Sequence, residues 1–123
     1  MTRDFDLIRD ILFQVEKAPA GDPLYALAVH SEIENAALAE HVQLLIERGL
    51  IEGEVRDFRA PMFTIHRLAW AGHDFVNNAR NDTIWKKVMA EAKEKGASVT
   101  LTVLNGLLTK AAEKYAGLGD ENP

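Results

Sequence analysis

The chain contains no cysteine, which rules out a disulfide framework, a thiolate zinc site and a cysteine nucleophile. It also lacks any apolar stretch approaching the roughly 18 residues of a membrane-spanning helix. The first turns carry Asp4, Asp6 and Asp10, not the basic start and apolar middle of a secretory signal. The expected compartment is therefore the cytoplasm, with no membrane partner. The four histidines, His30, His41, His66 and His73, include no pair one helical turn apart, so no metal site is expected. Adjacent His73 and Asp74 point in different directions on a helix and do not form an acid–base pair. With no nucleophile arrangement and no glycine-rich phosphate loop, neither a cofactor nor an enzyme is expected.

What remains is an ordinary globular composition: 123 residues, 47% hydrophobic and 27% charged, enough for one domain with one core. The net charge of -5 is uneven. Residues 1–34 carry three cations and seven carboxylates, whereas residues 81–123 carry six of each. That balance lacks the basic footprint of an obvious DNA binder, although phosphate binding depends on the local field of one face.

Hydrophobic spacing predicts a first helix through Phe5, Ile8, Ile11, Leu12 and Val15, with Leu7 widening the stripe and Thr2 as N-cap. Pro19, Gly21 and Pro23 stop it. Leu24–Val29 reads as a short strand. A second helix opens at Asn35 as N-cap and buries Leu38, Val42, Leu45 and Ile46, and Gly49 ends it in a left-handed conformation. Leu50–Val55 and Met62–Leu68 alternate in polarity and flank a polar connector, which predicts a β-hairpin. Helices are expected at about 69–79 and 83–95, with Trp70 and Trp85 in the core among Phe75, Val76, Ile84 and Val88. Gly96 ends that stretch, and Ser98 caps a last helix with Leu101, Leu104, Leu108, Ala111 and Tyr115 on one stripe. The predicted class is mainly α with a small β-hairpin (α+β): one domain over 1–118, its helical extension over 69–116, and a frayed tail over 119–123.

The order helix, short strand, helix, hairpin, helices resembles a winged helix. Leu44-Leu45-Ile46-Glu47-Arg48-Gly49-Leu50-Ile51-Glu52 is similar to the end of a recognition helix entering the first wing strand. Arg67-Leu68-Ala69-Trp70-Ala71-Gly72-His73-Asp74-Phe75 is similar to the second wing strand entering the next helix, with Ala69 where the pattern usually has a capping threonine. Arg3-Asp4 with Asp6-Leu7-Ile8-Arg9, His41 with Leu44-Leu45, Trp70 to Phe75, and Arg80-Asn81-Asp82-Thr83-Ile84-Trp85 form an ordered set. Over roughly residues 2–118 that set resembles a bacterial and prophage family, the domain of unknown function numbered twenty-five thirteen. The resemblance implies a phage-associated, winged-helix-like protein. One departure is visible: residues 18–34 leave room for no more than a short turn of the helix that braces a recognition helix, which is truncated or replaced by the Leu24–Val29 segment.

Candidate nucleic-acid contacts are Asn35 and Gln43 on the second helix, whose side chains suit base edges. Arg56, Arg59 and Arg67 around the hairpin turn, with Phe58 between them, suit phosphate or minor-groove contact. Against this stand Glu40, Glu47 and Asp57, and the simpler reading of both surfaces is a solvated face. Lys86, Lys87, Lys93 and Lys95 are interleaved with Glu91 and Glu94 and read as a solvated helix face. The last helix is apolar over more than one narrow stripe. A mid-helix Gly106 costs about 1 kcal/mol relative to alanine unless another helix approaches there. Residues 99–115, with Leu101, Leu104, Leu108 and Tyr115, are thus a candidate homodimer interface, packing on the first helix being the alternative. Two functions follow: a dimeric transcription regulator binding double-stranded DNA, or an acidic scaffold that binds a host or phage protein instead.

Overall fold

The computed structural model describes residues 1–94 and 100–120, with side chains to Lys114. The elements run α1 (Phe5–Lys17), α2 (Asn35–Glu47), β1 (Ile51–Asp57), β2 (Met62–Leu68), α3 (Trp70–Ala79), α4 (Asp82–Glu94) and α5 (Leu101–Asp120). This is the mainly helical α+β class with one antiparallel hairpin. The chain divides into two compact units, Met1–Val76 and Asn77–Pro123. The division falls inside α3.

In the first unit, α1 buries Leu7, Ile8, Ile11, Leu12 and Val15, the stripe its spacing predicts. Its cap is Asp4 and not Thr2: the Asp4 carboxylate accepts the Leu7 N–H at 3.1 Å. Aspartate is the better N-cap, and the positive helix end favours its charge. α2 packs on α1 and on both strands. It starts one residue earlier than expected, with Glu34 at the cap position and Asn35 already helical. It ends as predicted on Gly49, at φ +76. Gly49 N–H donates to Ile46 O and Leu50 N–H to Leu45 O, a Schellman pair that satisfies the last carbonyls and buries Leu50 beside Leu45.

Residues 18–34 contain no helix. The expected strand at 24–29 is reduced to one bridge, Leu24 with Ile65, closed by N–H···O bonds of 2.8 and 2.9 Å. The alanines beyond it have little to gain from a ladder. The Gln14 side chain holds this segment instead, donating to Ala28 O at 2.8 Å and accepting the Ala28 N–H at 2.9 Å.

The hairpin pairs Ile51 with Leu68, Glu52 with Arg67 and Gly53 with Ile65, which leaves His66 as an extra residue of β2. Such a bulge reverses the faces that follow it. Leu68 is therefore buried and Arg67 exposed, the opposite of strict alternation. At the far end of the hairpin Ala69 N–H donates to Leu50 O. Gly72 lies so close to that carbonyl that a Cβ there would meet it.

The buried positions of α3 are Gly72, Phe75, Val76 and Ala79. Trp70 lies two residues, about 200°, from Gly72 around the helix. It is accordingly 85% exposed and not in the core. In the second unit α4 and α5 pack together, and Trp85, Val88, Ala92, Leu104 and Leu108 are buried. Asn81 caps α4 by accepting the Ile84 N–H at 3.0 Å. Thr100 caps α5 by accepting the Val103 N–H at 3.2 Å; Gly96 and Ser98 lie outside the described residues.

Candidate interaction site

The residues proposed from sequence to touch DNA do not form one basic surface. Asn35 is exposed at the first turn of α2, and Gln43 is half-buried two turns on. Every charged residue of α2 is an acid, Glu40 and Glu47. His41, expected at the edge of the exposed face, is 2% exposed. Its Nδ1 lies 2.7 Å from Ala37 O and must donate to it, because a carbonyl only accepts. Its Nε2 accepts the Asp4 N–H at 2.9 Å. One tautomer satisfies both contacts, so the ring ties α2 to the cap of α1 and offers nothing to a groove.

The three hairpin arginines separate in the same way. Arg67 sits five residues along β2 from Met62, about 17 Å at strand rise, and so lies at the base of the hairpin and not beside the turn. Its Nε and Nη2 hold the two Glu52 oxygens at 2.6 and 3.1 Å. That hydrogen-bonded contact lowers the Glu52 pKa from its ordinary value and raises that of Arg67. Arg56 pairs with Glu54 at 3.3 Å, and the other Glu54 oxygen lies 3.2 Å from His66 Nε2. The turn is built by Asp57, whose Oδ1 accepts the N–H of Arg59 and of Ala60 at 2.9 and 3.0 Å. Arg59 is left exposed at the tip beside Phe58. Asp57 acts on the backbone, a role its sequence context at a turn allows.

The candidate dimer residues divide. Leu104 and Leu108 are fully buried within the chain, and Leu101 is half-buried. The Tyr115 side chain lies outside the described residues. Helical spacing that covers more than one stripe cannot distinguish an intrachain partner from a second copy, and here the chain itself covers the two central leucines. Val103 is 44% exposed, and a Cβ on Gly106 would meet nothing within 4 Å.

Sequence reasoning missed a groove in the first unit. It has a volume of about 610 Å³ and opens where residues 18–24 diverge from β2 after the Leu24–Ile65 bridge. Pro19, Pro23, Leu24 and Leu68 give it apolar walls, and His66 and His73 add polar edges. His73 lines it and lies one helical turn from Trp70, which is exposed on the same helix face. Tyr25, next to Leu24, is 65% exposed. Among the described residues Trp70 and Tyr25 are the two most exposed aromatic rings, Phe58 at the hairpin tip being less so, and such rings are the usual anchors of a protein contact. The sequence signal was the mismatch between Trp70 and the stripe running from Gly72 to Ala79.

A family model described as Hypothetical protein (DUF2513) matches residues 2–98. The chain belongs to this family. The match ends before α5, short of the 2–118 that the motifs suggest. An uncharacterized protein of Haemophilus influenzae is 30% identical over 105 residues, covering 85% of this chain and 89% of the relative. No solved structure matches. Among the described residues no helix is long and apolar enough to cross a membrane, and no three His, Asp or Glu side chains are grouped to hold a metal.

Proposed function

We propose that this DUF2513 protein is a non-enzymatic protein-interaction module whose contact surface is the groove between residues 18–24 and β2 together with Trp70. The observation that carries this reading is the use made of the hairpin cations. Arg56 and Arg67 are each held by a glutamate of β1, which cancels the field a phosphate would need. The acidic α2 and the absence of a helix between α1 and α2 act in the same direction. The test has two arms. A random duplex titrated with the protein at low salt should show no change in fluorescence anisotropy up to about 100 μM, the weak end of non-specific binding. A photo-crosslinker placed at exposed Ala71 should give adducts of discrete mass in cells, and Trp70→Ala should abolish them. Salt-sensitive DNA binding, or adducts indifferent to Trp70, would overturn the reading.

A second reading, a transcription regulator on double-stranded DNA, is favoured by the order of elements and by Arg59, which projects at the hairpin tip with Asn35 also in solvent. It predicts low-salt binding that Arg59→Ala weakens on all sequences alike.

A further inference from the structure

The contact between His41 and Asp4 is a buried ring with a backbone group on each nitrogen, and it works in only one protonation state. Nδ1 gives its proton to Ala37 O at 2.7 Å, and Nε2 takes the Asp4 N–H at 2.9 Å. A proton added at Nε2 would face the Asp4 N–H donor to donor. The ring is 2% exposed, so water has little room to mediate. We propose that His41 is a proton-operated latch on the first turn of α1: neutral, it holds the Asp4 amide and fixes α1 on α2; protonated, it releases that amide and frees the turn that Asp4 caps.

The elements packed on α2 carry charges on three sides of it. α1 and its cap bring Asp4, Asp6, Arg9 and Asp10; Asp4 meets the ring through its backbone N–H, and its Oδ1 already accepts the Leu7 N–H at 3.1 Å. α2 brings Glu40 and Glu47. The hairpin packed on α2 brings Glu52, Glu54, Arg56 and Arg67, which are exposed and paired with one another. The Asp4 carboxylate belongs to the residue whose amide the ring holds, and it is the acceptor in that cap to which a new Nε2 proton could turn. Turning to it would uncap Leu7, which makes the first turn of α1 a two-state element biased by one proton. His30, His66 and His73 are exposed and serve as internal controls. The latch does not depend on the partner or DNA readings above.

The experiment uses the full chain labelled with ¹⁵N, followed by histidine ring shifts and amide exchange from pH 8 to about pH 5, the range in which histidines change charge. At pH 8 the His41 ring should show the proton on Nδ1. As the pH falls, protection of the Asp4 and Leu7 amides should drop about tenfold, the loss of one hydrogen bond of ordinary worth. The midpoint should be that of the His41 ring itself. Three results would each overturn the latch: a proton on Nε2 at pH 8, a His41 ring that does not titrate while the chain stays folded, or titration that leaves the Asp4 amide protected.

Discussion

The joint between α1 and α2 and the β1–β2 hairpin hold comparable numbers of polar side chains and use them in opposite ways. At the joint, His41 and Asp4 address backbone groups in fixed positions, as Gln14 does farther along α1 on the segment at Ala28 and Asp57 does at the hairpin tip. On the hairpin, Glu52, Glu54, Arg56 and Arg67 address one another in solvent. A buried polar group that loses its partner costs its full desolvation, whereas an exposed ion pair is worth little. The joint therefore sets geometry and the hairpin side chains set charge. Substitutions at the joint should read out as stability, and those on the hairpin as surface potential.

The sharpest way to break that contrast is at the seam where the hairpin enters α3. Gly72→Ala drives a methyl group into the Leu50 carbonyl oxygen, which already accepts the Ala69 N–H. Backbone cannot rotate away as a side chain can, so a loss of about 3 kcal/mol is expected in chemical denaturation. Gly106→Ala is the control of opposite sign. Nothing lies within 4 Å of its Cβ position, and alanine should stabilise α5 by about 1 kcal/mol. Destabilisation there would show that something packs on this helix in solution.

Next in size is His41→Leu, which keeps the volume and leaves the Asp4 N–H without its acceptor. A loss of about 2 kcal/mol is expected, together with faster exchange at the Asp4 amide. Gln14→Ala should cost about 1 kcal/mol and show itself locally, as lost protection of the Ala28 amide with the helices intact.

These two residues also mark where reading the sequence stops. Apolar periodicity located α1, α2, the hairpin and the helices after it, because burial of a stripe is a local property of spacing. Gly49 was legible for the same reason, since a left-handed helix end needs glycine in place. His41 and Gln14 were not: their partners are backbone groups 37 and 14 residues away, and backbone groups have no letter in a sequence. The pairing of the arginines was illegible for the complementary reason. Their residue type was read correctly, but the bulge at His66 turned Arg67 outward onto Glu52, and a one-residue irregularity leaves no signature in the polarity pattern.

The smallest expected effect tests the hairpin half of the comparison. Arg67 lowers the Glu52 pKa below its ordinary 4.5, so the contact contributes stability that is fully present above about pH 4.5. That contribution disappears as the pH falls through the lowered value, when the folded state must also take up the proton. Both side chains are exposed, so salt screens the pair and the amplitude is slight. Glu52→Gln should then leave stability at pH 7 almost unchanged while raising the net charge by one and exposing the Arg67 guanidinium. If the hairpin's acids serve to mask its cations, this substitution should strengthen DNA binding at low salt relative to the parent protein, and Arg67→Gln in the same chain should remove the gain. A large fall in stability from Glu52→Gln would instead mean that the hairpin pairs hold geometry as the α1–α2 joint does, and the division between the two regions would fail.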